Sequence, residues 1–302
     1  MTRDQPTEAP VRVEDAPRPT TARLVENDTE IFIDGDFYMS VLREIHLRSE
    51  PKSYFEIGAL FGDTLRQASC PAVAVDPHFQ LRQDAPLNLE QVTLREMTSD
   101  DYFASHDPIK DLGRSIDLAF LDGMHEFPFL LRDFINTEKY CHRRSIIAMH
   151  DCIPLDCHMT RLFRDMAVER PTNHPGCWAG DVWKMIPVLR RYRPDLEISC
   201  LNAAPTGLAI CRNVDPHSTV LADNYDAILA EWETVRLEDF GIANLFAAAR
   251  IQPVEAWLPG LRRFHGPNRL RQLRAALRPR RRILQAISAL GLTRPPERPR
   301  AV

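Results

Sequence analysis

Four apolar runs in this 302-residue chain each end abruptly in a residue that can bend the backbone or bond a ligand. Tyr54–Ile57 runs into Gly58, Ala72–Val75 into Asp76, Ile116–Leu121 into Asp122, and Ser145–Met149 into His150 and Asp151. Gly58 and Gly62 suit a tight strand-to-helix turn with free N–H groups facing a polar ligand. Asp76 lies 18 residues beyond Gly58, where an acid at the end of the next strand can accept both hydroxyls of a ribose. Together these describe a nucleoside site. Asp122, His125, His150 and Asp151 form a second polar group on two neighbouring strand ends. Imidazole beside carboxylate suits proton transfer, and two converging carboxylates suit a divalent cation such as Mg2+.

The turn reads Gly-Ala-Leu-Phe-Gly rather than G-x-G-x-x-G. A pyrophosphate needs very close backbone, which bulky Leu60 and Phe61 oppose. S-adenosylmethionine has a ribose, an amino-acid carboxylate and a sulfonium but no phosphate, and it tolerates this turn better. Glu56, just before the turn, would reach the ligand's ammonium or orient the loop. A nicotinamide-dependent dehydrogenase on a similar sheet is an alternative, and the missing third glycine speaks against it.

Glu56-Ile57-Gly58 with Gly62, Asp122-Gly123-Met124-His125 and His150-Asp151 resemble the E-I-G-x-x-x-G, D-G-x-H and H-D motifs of class I S-adenosylmethionine-dependent methyltransferases, in their O-methyltransferase-like branch. The resemblance spans about residues 50–213. It implies methylation of a small-molecule hydroxyl on a sugar or secondary metabolite. Glu56, Gly58, Gly62, Asp76, Ser99 and Asp122 would then hold the cofactor, with Ser99 or Asp100 near its adenine or ribose edge. His125 or His150 would take the acceptor's proton, with Asp122 and Asp151 orienting it or holding Mg2+. Related enzymes place a third metal ligand after the second acid, but Cys152 stands there, a poor ligand for a hard cation. Leu60 departs from the middle glycine of most methyltransferases.

These residues require elements that bring strand ends to one edge. The pattern predicts strands near 53–57, 72–76, 91–96, 116–121 and 145–149, and helices at 62–69, 126–142 and 156–169. Alternation of this kind makes a doubly wound, mostly parallel, seven-stranded Rossmann-like α/β sheet. An amphipathic helix over Phe37–Leu47 precedes it, after an entry segment or short strand at 30–37. A helix at Val182–Tyr192 leads to strands Leu196–Leu201 and Gly207–Arg212, whose short link forces an antiparallel edge hairpin. Helices at Tyr225–Trp232 and Ile242–Ala249 follow. The expected domains are a disordered segment at 1–25, a Rossmann-like domain at 26–215 and a helical extension at 216–302.

Asp181, Trp183 and Lys184 are candidate substrate-binding residues, because Trp178 and Trp183 flank Asp181 near the expected active edge and could wall the acceptor. Asp181 could instead simply cap a helix. Cys152, Cys157 and His158 lack the second close pair of a structural zinc site. A net charge of -4 argues against nucleic acid as a general partner. Seven scattered cysteines suggest a reducing, cytoplasmic location. Ten arginines stand between 262 and 294 without one acid. That segment reads as a solvated face, or as a peripheral membrane contact in a non-catalytic docking module. A homo-oligomer is compatible with the sequence.

Overall fold

The alternating apolar runs build a seven-stranded sheet, ordered β5-β4-β3-β6-β7-β9-β8, in the computed structural model. The structure describes residues 23–24, 31–83, 87, 90–162, 174 and 177–264. Two short strands, β1 (Arg23–Leu24) and β2 (Ile31–Phe32), pair antiparallel ahead of the main sheet. The remainder of the N-terminal segment and the arginines beyond Phe264, with their proposed membrane contact, lie outside the described residues.

β3 (Tyr54–Ile57), β4 (Ala72–Asp76), β5 (Val92–Glu96), β6 (Ile116–Leu121) and β7 (Cys141–His150) run parallel. β8 (Glu197–Leu201) and β9 (Leu208–Arg212) form the antiparallel edge hairpin, with β9 against β7. The chain winds outward from β3 to β5, then returns to the other side of β3 for β6. A crevice must open at that reversal, between the ends of β3 and β6.

Period-two alternation splits the core between the two faces. Phe55, Val73, Val75, Ala119, Leu121 and Ile147 share a cluster with α4 (Phe127–Glu138), α5 (Met185–Tyr192) and α9 (Ile242–Ala249). Tyr54, Ala72, Ala74, Leu118 and Phe120 share the other with α1 (Tyr38–Ser49) and α10 (Val254–Trp257). α2 (Ser99–Ser105) and α3 (Pro108–Leu112) connect β5 to β6, while α6 (Val220–Asp223), α7 (Tyr225–Trp232) and α8 (Leu237–Phe240) follow the hairpin. Leu221, Ile228, Trp232 and Leu237 pack into the first cluster, so these helices share the sheet's core.

Three elements differ from expectation. The helix at 62–69 shrinks to a 3-10 turn at Leu65–Gln67, bounded by Gly62 at φ +74° and by Ala68 in extended backbone. The helix expected at 126–142 stops at Glu138 and yields to a longer β7. Within 156–162 the chain is irregular, and residues 163–169 lie outside the described residues. No helix among the described residues is long and apolar enough to cross a membrane.

Candidate functional site

A cavity of about 810 Å3 occupies the crevice at the carboxyl edge of the sheet. Its wall carries the turn after β3, the ends of β4 and β6, the start of α2, and Tyr38 from α1.

Gly58 makes the turn possible. It has φ +86°, and a Cβ there would stand 2.0 Å from the Asp122 carbonyl oxygen. Only glycine allows the β3 and β6 ends to touch in this way. Gly58→Ala is expected to destabilise the fold by on the order of 3 kcal/mol or more, read from denaturant unfolding. A loss under about 1 kcal/mol would contradict the close approach. Gly62, at φ +74°, closes the turn through its N–H to the Ala59 carbonyl at 2.6 Å. It does not reach the described cavity wall.

The Asp76 carboxylate points at this turn. Oδ2 accepts from the Leu60 N–H and Oδ1 from the His78 N–H, each at 2.8 Å. Each oxygen keeps a second lone pair for a ligand hydroxyl. Leu60, in the position flagged as a departure, holds φ +31° and thereby aims its N–H at Asp76. Glu56 takes the second of its two expected roles. It is fully buried, accepts from the Thr64 hydroxyl, and organises the loop instead of lining the cavity. Burial raises its pKa to about 8, against hydrogen bonds from Thr64 and Tyr54.

The four residues of the second polar group come together at the ends of β6 and β7. His125 Nε2 lies 3.2 Å from Asp122 Oδ1, and its Nδ1 lies 3.2 Å from Asp151 Oδ2. His150 Nδ1 lies 3.3 Å from Asp122 Oδ1 and 3.5 Å from Asp151 Oδ1. Asp122 and His125 line the cavity, whereas His150 and Asp151 stand behind them among the described residues. Burial opposes the charge of His125, yet the two carboxylates raise its pKa to about 9. His150 is raised in the same way, by Asp151 and Asp122 acting against its burial. Burial works to raise Asp122 as well, but His150 and His125 hold it below the usual carboxylate range. His125 is therefore cationic at neutral pH in the free protein and is not a ready base. Leu60, His125 and Asp151 are three of the six described non-glycine residues with left-handed backbone. Such concentration of strain is characteristic of functional sites.

Donor atoms of Asp122, His125 and Asp151 lie within 4.8 Å of one another and could hold a metal ion. Two carboxylates and one imidazole fit Mn2+ or Zn2+ better than Mg2+, which prefers oxygen ligands. The Cys152 thiol is buried and turned to the His150 carbonyl, 3.3 Å away.

The expected substrate residues Asp181, Trp183 and Lys184 lie elsewhere. Trp183 is fully buried against Trp232 and Phe240, because the 3-10 turn at Val182–Lys184 rotates it into the core. Asp181 Oδ1 accepts from the Phe127 N–H at 2.6 Å, at the start of α4. Its Oδ2 binds Lys184 Nζ at 2.7 Å, and that ammonium also donates to the Glu233 carbonyl at 3.0 Å. All three border a separate hollow of about 530 Å3. Trp178 is the tryptophan that reaches the main cavity, its ring 4.9 Å from that of His125.

Ser99 lies on the cavity wall, as do three residues the sequence left unmarked: Tyr38, Phe129 and Asp133. Tyr38 stacks on His150 with ring centroids 3.8 Å apart. Thr206, from the hairpin link, donates to Asp151 Oδ1 at 2.5 Å and lies 3.3 Å from His150 Nε2. The apolar spacing of α1 marked its presence but not which residue would face the site.

Residues 55–152 match a family model described as a methyltransferase domain. No curated protein sequence matches the chain significantly. Among solved structures, the chain is similar to the O-methyltransferase TomG of Streptomyces achromogenes, which is involved in tomaymycin synthesis and was solved with S-adenosylmethionine. The identity is 14%, over 59% of this chain and 80% of that one, with a TM-score of 0.42. An O-methyltransferase from Bacillus cereus, in complex with S-adenosylhomocysteine, matches at 12% identity over 58% and 80%, with a TM-score of 0.41. A Podospora anserina methyltransferase bound to S-adenosylhomocysteine matches at 13% over 59% and 78%, with a TM-score of 0.39. At these identities and scores the likenesses carry no weight for substrate or mechanism.

Proposed function

We propose, from the premise that this chain is a class I S-adenosylmethionine-dependent methyltransferase, that it methylates a hydroxyl oxygen of an apolar small molecule. One observation carries the cofactor placement. The Asp76 carboxylate meets the Gly58–Leu60 turn on the wall of a cavity that Asp122 and His125 also line. A ribose at Asp76 leaves the sulfonium within the same cavity as His125. Leu60, Phe61 and Met124 line that cavity while remaining 37%, 41% and 50% exposed, and Trp178 stands beside them. Large exposed apolar groups around one opening favour an apolar acceptor, of the secondary-metabolite kind, over a sugar.

The transfer is an in-line displacement. An acceptor oxygen lone pair forms the new bond to carbon as the carbon–sulfur bond breaks, leaving a neutral thioether. The hydroxyl proton passes to His125, whose Nε2 faces Asp122 at 3.2 Å and whose Nδ1 lies near Asp151 without a hydrogen bond. His125 must first lose the proton that these carboxylates favour. The cofactor's sulfonium and ammonium bring positive charge into the cavity and oppose that protonation.

A rate that rises with pH follows, with its limb at or below about pH 9, measured as S-adenosylhomocysteine release from hydroxylated aromatic acceptors. His125→Gln should remove the limb. A flat or falling wild-type profile up to pH 9 would contradict His125 as base.

A second reading has its own support in the proximity of the Asp122, His125 and Asp151 donors. Those residues would hold a divalent cation, which would lower the acceptor's pKa. It predicts that Mn2+ raises the melting temperature more than Mg2+ does. Equal indifference to both ions would count against it.

A further inference from the structure

Thr206, in the link between β8 and β9, is buried, and its hydroxyl meets both His150 and Asp151. Oγ1 lies 2.5 Å from Asp151 Oδ1 and 3.3 Å from His150 Nε2. A hydroxyl has one proton to give, and a carboxylate only accepts. The proton therefore goes to Asp151, across the shorter contact, and the Thr206 oxygen accepts from the His150 Nε2–H. His150 Nδ1 then faces Asp122 Oδ1 at 3.3 Å. Tyr38 covers the face of the same ring.

This arrangement decides where Asp151 points. With Oδ1 bound to Thr206, the carboxylate turns Oδ2 to His125 Nδ1, 3.2 Å away. No hydrogen bond joins those two atoms, so Thr206, and not His125, fixes where this charge stands. The loop that carries Asp151 is tied separately, because the Ile153 N–H donates to the Thr206 carbonyl at 3.0 Å. Holding the hairpin link to the end of β7 is thus a task of the Thr206 backbone, and the hydroxyl serves the carboxylate.

We propose that Thr206 is a positioning residue for methyl transfer, whose hydroxyl fixes the Asp151 carboxylate against His125 and acts on the reaction only through that pair. The inference rests on the reading of His125 as the base. Positive charge develops on His125 as it takes the acceptor's proton. A carboxylate already standing beside Nδ1 stabilises that charge without reorganising. A carboxylate free to rotate must be brought back in each turnover, which costs rate and not acceptor affinity. Thr206 is not among the described residues of the cavity wall, so its loss leaves the contacts of acceptor and cofactor in place.

Kinetics and crystallography on the full chain test this. Thr206→Val keeps the side-chain shape and removes the hydroxyl, whereas Thr206→Ser keeps the hydroxyl. With naphthol as acceptor and S-adenosylhomocysteine release as the readout, Thr206→Val should lower kcat about tenfold. Acceptor KM and S-adenosylhomocysteine affinity should stay within about twofold of the wild type. Thr206→Ser should restore most of the rate. In a His125→Gln background the valine should cost less than about twofold, because the pair it serves is gone. A full cost in that background, or equal losses in the serine and valine variants, overturns the proposal. Should thermal unfolding show that valine disturbs the fold, Thr206→Ala replaces it in every comparison. The crystal structure of the hydroxyl-free variant should show Asp151 Oδ2 turned away from His125, and an unmoved carboxylate overturns the proposal whatever the rates. Full rate in His125→Gln removes the base reading and this inference with it. A slow His125→Gln enzyme beside an unimpaired Thr206→Val enzyme overturns this inference alone.

Discussion

Replacing Asp76 with alanine is expected to weaken S-adenosylhomocysteine binding by about a hundredfold or more. Two hydrogen bonds from ribose hydroxyls to a charged acceptor would be lost, each contributing about 1.5–3 kcal/mol. The same carboxylate holds the Leu60 and His78 N–H groups, so the turn also loses its anchor. Asp76→Asn separates these contributions. Its amide keeps one acceptor but sets a donor against the other N–H, and an intermediate loss of affinity is expected. Calorimetry gives the affinities and thermal unfolding reports whether the variants are folded. Unchanged affinity in a folded Asp76→Ala protein would remove the ribose from this position.

His125→Ala is expected to slow methyl transfer by about 10²–10⁴-fold, the usual contribution of a positioned general base. Affinity for S-adenosylhomocysteine should change only a few-fold, because Asp76 and the turn are untouched. The two carboxylates that flank His125 keep only His150 as a charged partner when the ring is removed. His125→Gln, which can still hydrogen-bond, is therefore the better-folded comparison and should lose nearly as much rate. His150 gives a contrasting expectation. It lies behind Asp122, stacked on Tyr38 and near Thr206, so its replacement should disturb stability as well as rate. A His125→Ala rate within a few-fold of wild type, measured by S-adenosylhomocysteine release, would exclude it as the base.

The strands were legible because parallel strands covered on both faces read as continuous apolar runs. Ile116–Leu121 and Ala72–Asp76 form strands with the expected limits. Their polar ends placed Gly58, Asp76, Asp122 and His125 at one edge correctly. Depth along that edge was not legible. Glu56 and His150 are separated from the cavity by residues whose orientation depends on how α1 and the hairpin cover the sheet. Trp178 and Trp183 are equally aromatic, and only the 3-10 turn between them decides which one faces the cavity. Tyr38 and Thr206 reach the site from distant parts of the chain, where local pattern gives no signal. Asp133 looks in sequence like any polar residue on an amphipathic helix, and its burial is a property of the packed fold.

The most direct measurement is a crystal structure of the protein soaked with S-adenosylhomocysteine. Density should show the ribose hydroxyls on the Asp76 carboxylate, beside the Gly58–Leu60 turn, with the sulfur facing His125. Full occupancy at any other place, or an empty crevice at saturating ligand, would contradict the cofactor placement and the methyl-transfer chemistry built upon it.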